Sequence, residues 1–381
     1  MYTSPLALGL FICAGVQATA QHVPRNSLEE LWKLESPDRL KALALLFQAF
    51  NQAGQGLGIA ANKPRAHAGS VSKQLSRTGV GLGQINRHQP PTLSRSALSD
   101  VSMAEVDGVT DEMDGSLRKL TLKNAGGASA SLYTLGACVT SFCAPSEVFF
   151  VRPDAKFDGS KPISGGVPHC FPQFGPGEIQ QHGFARNVEW EVASVSGGTS
   201  PSVTLTLEPT EYTKGMWDKS FKNTYTVTLG DDNSLTAVLE VANTGDAALD
   251  FTSALHTYFA VGDIDKTSIK GAFKGATLLD RMVDPPATIT EEREALTIDA
   301  KETDRMYEGV SGTVEIVDEA NDRTIVVDSQ QGWDDTVLWS PYGNEGMGFK
   351  SFVCVESAKV KEPVVVKPGA TWKATTKFSL K

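Results

Sequence analysis

Two short segments of the chain carry residue types suited to moving protons. In "DFTSALHTYFAV" strict alternation puts Phe251, Ser253, Leu255, Thr257 and Phe259 on one face of a strand, and Thr252, Ala254, His256 and Tyr258 on the other. His256 therefore stands among small and polar neighbours. An imidazole titrates near neutral pH, so such a residue is either a proton donor and acceptor or a hydrogen-bonded strut of the strand. In "SFVCVESAKV" the same alternation gives Phe352, Cys354 and Glu356 one face near the strand's end. A carboxylate beside apolar neighbours is costly unless it is paired or used, although at a strand end it can also simply reach solvent. A third segment, "GGVPHCFPQFGPGEIQQHGFARN" at 165–187, crowds glycines and prolines around His169, His182 and Arg186. Turn residues of this kind fix a loop, and a fixed loop holds polar groups at set distances.

The elements that must position these groups read as strands. "SVTLTLEP", "TYTVTLGDD", "SLTAVLEVANTG", "TIVVDSQQG" and "SFVCVESAKV" alternate apolar with polar residues, are rich in Val, Thr and Leu, and end at Gly, Asp, Asn or Pro. No long stretch after residue 103 has a helical period. Many short strands over 103–381 predict an all-β domain, a large antiparallel β-sandwich. Three of the chain's six histidines fall in this domain, His169, His182 and His256, which narrows the search for a titrating group.

The first hundred residues differ. "SPLALGLFICAGVQATA" ends in Ala18-Thr19-Ala20, a small-residue pattern like that of a signal peptide over 1–20, though without a basic start, and it is short for a membrane span. Over 21–102 a helix-like segment opens with the capping box Ser27 and Glu30. From Lys63 to Ser99 the chain carries Lys63, Arg65, Lys73, Arg77, Arg87 and Arg95 with many serines and no acidic residue, the composition of a transit peptide or of a disordered linker. A signal-like segment followed by a transit-like one predicts a plastid, with a mitochondrial or cytoplasmic location as the alternative.

The formal net charge of -10 speaks against a nucleic acid or an anionic membrane as partner, because neither attracts an acidic surface. A small-molecule ligand is expected instead, with no membrane insertion of the mature domain; a monomer is compatible with all of this. Five cysteines, at 13, 138, 143, 170 and 354, form no CxxC pair or zinc spacing, so buried free thiols are expected rather than a disulfide framework or structural metal.

In order, "QHGFARN", "SALHTYF", "ETDRMY", "DDTVLWSP" and "FVCVESA" resemble the motifs of the aldose 1-epimerase superfamily, in its glucose-6-phosphate 1-epimerase (hexose-6-phosphate mutarotase) branch. The resemblance covers residues 115 to 381 and none of the leader. It implies a galactose mutarotase-like β-sandwich with a shallow sugar site on its concave face. By the same resemblance His256 and Glu356 are the catalytic pair, and Gln181, Arg186, Asp304 and the intervening His182 hold the sugar. No metal or other cofactor is implied.

Interconverting α and β anomers of a hexose 6-phosphate requires the C1 hydroxyl to lose a proton while the ring oxygen gains one. In this scheme Glu356 is the base and His256, holding a proton at neutral pH, the acid. One departure bears on the phosphate. Where the phosphosugar branch usually has an arginine before the GG of its GGxP segment, this chain reads "KPISGGVPH" and has Ser164. Lys161 or Lys350 could restore the charge, as point charges rather than a planar fork. Asp335 reads either as a site aspartate or as a turn residue, and Trp217 as a sugar-stacking ring or as core. Alternatives to the phosphosugar reading are a mutarotase for a non-phosphorylated aldose and a non-catalytic, sugar-binding or complex-associated subunit. A glycoside hydrolase would need two carboxylates flanking the scissile bond.

Overall fold

The structure, a computed structural model, describes residues 106–381. The signal-like segment, the helix-like stretch and the transit-like stretch lie outside the described residues. Within them the chain is built from antiparallel strands, numbered β1 to β21 along the sequence. A nine-stranded sheet runs in the order β15 (Ala295–Leu296), β12 (Thr267–Lys270), β17 (Gly312–Asp318), β18 (Arg323–Gln331), β21 (Thr371–Leu380), β9 (Leu235–Asn243), β8 (Phe221–Leu229), β7 (Ser202–Leu207) and β6 (Glu191–Ser196). An eight-stranded sheet runs β14 (Ala287–Thr290), β13 (Thr277–Asp280), β16 (Thr303–Tyr307), β19 (Asp335–Ser340), β20 (Phe352–Val366), β10 (Leu249–Leu255) and β5 (His169–Cys170), with β11 (Tyr258–Ala260) also beside β20. A four-stranded meander of β1 (Val109–Asp114), β2 (Leu117–Lys123), β3 (Ser129–Tyr133) and β4 (Cys138–Cys143) completes the described fold.

The two large sheets share one apolar core. Inward residues of the nine-stranded sheet, among them Tyr225, Val227, Leu239, Val241 and Phe378, pack with Phe251, Leu255, Phe259, Val353 and Val355 of the eight-stranded sheet. Period-2 alternation is what lets each strand place these side chains on one face. The predicted antiparallel β-sandwich is thus present. The expected absence of long helices holds among the described residues, where the α-helical segment Glu211–Lys214 spans a single turn. No helix of the described residues is long and apolar enough to cross a membrane. The four described cysteines are free thiols, with Cys138, Cys170 and Cys354 buried.

One strand differs from its sequence-based expectation. "SFVCVESAKV" does not end soon after Glu356, because β20 continues to Val366 and pairs along its length with β10 and β19. Glu356 therefore sits within a central strand and is 1% exposed. The easy route to solvent at a strand end does not exist here.

Candidate active site

The strand register brings His256 and Glu356 together. Leu255 pairs with Ser357 and Tyr258 with Cys354, so the two residues between, His256 and Thr257, face Glu356 and Val355 in turn. His256 falls in the gap between β10 and β11, where its backbone N–H donates to the Pro168 carbonyl instead of to β20. Its Nδ1 approaches Glu356 Oε1 to 3.5 Å. Neither that Nδ1 nor Glu356 Oε2 has a hydrogen-bond partner, although both are buried. Such atoms are rare in folded proteins because each forgoes water without compensation.

The same face carries two cross-strand rows that frame the pair. Asp304, Trp339, Cys354 and Tyr258 follow one another across β16, β19, β20 and β11, while Met306, Val337 and Glu356 form the next row. Aromatic rings confine the imidazole: Tyr258 stacks on it at 5.0 Å between centroids, and Trp339 and His182 meet it edge-on at 5.6 and 5.3 Å. This apolar collar is the source of the site's electrostatics.

Burial pushes the Glu356 carboxyl well above the usual carboxylate range, and the charge of Asp304 pushes the same way, against the opposing pull of Arg281 and Arg186. His256 is driven down to about 3, first by burial and then by the cationic field of Arg186. The expectation that His256 holds a proton at neutral pH is therefore reversed in the free site. The same burial that lowers the imidazole raises its neighbouring carboxyl, so both groups are pushed toward their neutral forms.

The glycine-rich loop delivers the third group of side chains. His182 takes φ 66 and Gly183 φ 70, a left-handed pair that turns the chain beneath Phe171. A Cβ at Gly183 would run into the Phe171 carbonyl, so glycine is required there. The Gly175 N–H donates to His182 Nδ1 at 3.2 Å, which makes that nitrogen an acceptor and leaves the ring hydrogen on Nε2. Nε2 in turn lies 3.3 Å from the side-chain amide nitrogen of Gln181. Arg186 follows in a short 3₁₀ turn, Ala185–Asn187, and donates from Nη2 to the Gln181 carbonyl at 2.8 Å. Its Nε is buried without a partner.

Asp304 is gripped by a residue that the sequence reading did not single out. Arg281 donates from Nε and Nη2 to the two carboxylate oxygens at 3.0 and 2.7 Å. Its backbone N–H also bonds the Asp304 carbonyl, and its guanidinium lies over the Phe174 ring. Nothing in "LLDRMVD" marks Arg281 except a cation closing an apolar run.

Other candidates fall elsewhere. Asp335 is a structural anchor: its carboxylate accepts from the backbone N–H groups of Gly309, Val360 and Lys361, tying three segments of backbone together. Trp217 packs edge-on against Phe171 and beside Phe184 and Phe221, as part of the core boundary. His169 is buried against Tyr225 and Trp190, and burial lowers it to about 3. The Lys350 ammonium is taken by Asp265, and Lys161 is exposed. Ser164 is half-buried, and its carbonyl accepts from the Arg152 N–H at 3.0 Å.

Fold and site together define the class: an antiparallel β-sandwich with a buried imidazole and carboxyl facing each other on the outward face of one sheet. The chain belongs to the aldose 1-epimerase family, whose profile, described as Aldose 1-epimerase, matches residues 118–379. A protein of Cenchrus ciliaris is 32% identical over 69% of this chain and 84% of its own length, and one of Escherichia coli K12 is 31% identical over 71% and 88%. Both are named, provisionally, as glucose-6-phosphate 1-epimerases. The crystal structure of a provisionally assigned mutarotase from Salmonella typhimurium superposes with a TM-score of 0.64 at 25% identity, covering 71% of this chain and 93% of that one. The fold is the mutarotase type of β-sandwich, and the family is one of isomerases.

Proposed function

We propose that this protein interconverts the α and β anomers of a hexose 6-phosphate, with glucose 6-phosphate as substrate. The observation that carries the reading is the placement of His256 opposite Glu356, buried, 3.5 Å apart and otherwise unpartnered. The names of the relatives support the phosphosugar, as does the gathering of Arg152, Arg186 and Arg281 around His256.

The free pair shares one proton, which rests on Glu356 because burial disfavours the separated charges. With that carboxyl facing Nδ1, the imidazole hydrogen belongs on Nε2. A bound sugar brings hydroxyl donors to a carboxylate that lacks them, and the proton then crosses from Glu356 to Nδ1. Glu356 now accepts the O1 proton while His256 gives its Nε2 hydrogen to the ring oxygen, and the C1–O5 bond breaks to leave the aldehyde. Rotation about C1–C2 and closure on the other carbonyl face reverse both transfers, so the enzyme ends with the proton count with which it began. Arg186, Gln181, His182 and Asp304 hold the sugar hydroxyls, Asp304 with its carboxylate already oriented by Arg281.

The test is exchange between the anomeric protons of glucose 6-phosphate, followed by NMR with the full chain. Acceleration that is lost in His256→Asn is expected. No acceleration with glucose 6-phosphate, glucose or galactose would overturn the reading.

The leader supports a plastid location through its basic, acid-free composition from Lys63 to Ser99. A fluorescent protein carrying residues 1–102 should enter plastids, and a cytoplasmic signal would discard this part of the proposal.

A further inference from the structure

Arg152 closes an extended segment that runs beside β11. Phe149 bridges to Phe259, the Phe150 N–H donates to the Tyr258 carbonyl at 2.9 Å, and Val151 bridges to Gly165. Arg152 itself donates its N–H to the carbonyl of Ser164, so the two residues are neighbours on adjacent segments. Its guanidinium forms a fork on Asp154, Nε to Oδ1 at 2.9 Å and Nη2 to Oδ2 at 2.5 Å. That partner lies only two residues along the chain and its side chain is half exposed, whereas the Arg152 side chain is mostly covered. The carboxylate is thus the replaceable half of the pair.

Position then separates Arg152 from the other two guanidiniums. Arg281 is committed to Asp304, and Arg186 to the Gln181 carbonyl, and both act on Glu356 as well as on His256. Arg152 acts on His256 and on Tyr258, whose ring stacks on that imidazole. In a hexopyranose C6 is attached to C5, which also bonds the ring oxygen. A 6-phosphate therefore leaves the ring on the side of whichever group protonates that oxygen, and in the mechanism above that group is His256.

We propose that Arg152 binds the 6-phosphate of the sugar, and that Asp154 occupies its guanidinium until the phosphate displaces it. The assignment rests on the mutarotase reading for the orientation of the sugar. A phosphate dianion offers more charge than a carboxylate and the same bidentate geometry, so the exchange is favourable. It also accounts for Ser164, since the charge absent from that position stands on the neighbouring segment.

The experiment is calorimetric titration of the full chain with glucose 6-phosphate, beside the anomer-exchange rates for glucose 6-phosphate and glucose. Arg152→Ala should weaken glucose 6-phosphate binding about 10- to 100-fold and lower the preference for the phosphosugar by a similar factor. Asp154→Asn should tighten binding several-fold, because it removes the competitor. A purely structural ion pair would make the two variants behave alike. Ser164→Arg placed in the Arg152→Ala background should recover part of the loss, and melting curves separate misfolding from lost affinity. Undiminished binding in a folded Arg152→Ala, or weakened binding in Asp154→Asn, would overturn the assignment. If the unaltered chain bound glucose 6-phosphate but accelerated no sugar, the mutarotase reading alone would fail, and the opposite responses of the two variants would still decide Arg152.

Discussion

The two large sheets treat their outer faces in opposite ways. In the nine-stranded sheet β8 and β9 alternate buried with partly exposed residues along their whole length, and β7 does the same, so one face makes core and the other meets water. In the eight-stranded sheet the first seven residues of β20 are all buried, as are the first four of β19. Both faces of these strands are covered. A strand buried on one face asks of its outward residues only that they be soluble, whereas a strand buried on both must either be apolar throughout or hold its polar groups at a cost. Glu356 is a polar group held in that way, with His256 buried against it, and each keeps a buried atom without a hydrogen-bond partner.

The sharpest break of this comparison is Glu356→Gln. It should lower anomer exchange by about 10²- to 10⁴-fold or more, the range of a positioned acid or base. The melting temperature should hold or rise, since a buried carboxyl without a partner on Oε2 contributes little to the fold. Leu239→Ala, in the core face of the nine-stranded sheet, should do the reverse. It should lose about 2–5 kcal/mol in denaturant unfolding, with the exchange rate of the folded fraction unchanged.

Next in size is the dependence of stability on pH. His256 and His169 are lowered to about 3 and His182 to about 2, each chiefly by burial. Between those values and the unfolded value of about 6.5 the unfolded chain binds protons that the folded chain refuses. Stability contributed by these neutral histidines is complete above pH 6.5 and is lost as pH falls, by up to about 1.4 kcal/mol per pH unit for each. Glu356, raised in the fold, acts oppositely and loses stability as pH rises past the unfolded carboxylate value. Urea titrations from pH 7 to 5 should therefore show a falling midpoint, and His169→Gln, whose side chain packs against Tyr225 and Trp190 rather than against the pair, should reduce the slope.

The smallest effects contrast two ion pairs. Asp304→Asn removes a charge that raises Glu356, so the acid limb of the pH–rate profile should move to lower pH while the rate falls. Glu240→Gln, which breaks an exposed pair with Lys373 on the outer face of the nine-stranded sheet, should change stability by less than about 1 kcal/mol and leave the profile in place.

Alternating segments such as "TYTVTLGDD" and "SLTAVLEVANTG" were readable as strands because period 2 is a local property that needs no partner to express it. The face shared by His256 and Tyr258, and that shared by Cys354 and Glu356, followed from the same rule and are present in the structure. The five ordered motifs likewise pointed to the family before any coordinates were considered. Arg281 and Arg152 escaped notice because each owes its place to a partner distant in the chain. Arg281 meets Asp304 through the pairing of β13 with β16, and Arg152 meets Tyr258 and Ser164 through strand neighbours. Asp335 and Trp217 were ambiguous for the same reason, since a carboxylate is structural or chemical according to which donors converge on it.

What the sequence determined by itself is the set of strands, the face each side chain takes, and the presence of an imidazole and a carboxylate able to exchange protons. Tertiary structure alone decided that β10 and β11 pair with β20 in a register that sets His256 against Glu356, and that both are buried among aromatic rings, where burial raises the carboxyl and lowers the imidazole. The physical reason is range. Backbone sterics and side-chain alternation act between residues a few positions apart, whereas desolvation and Coulomb forces depend on everything that the fold brings within several ångströms.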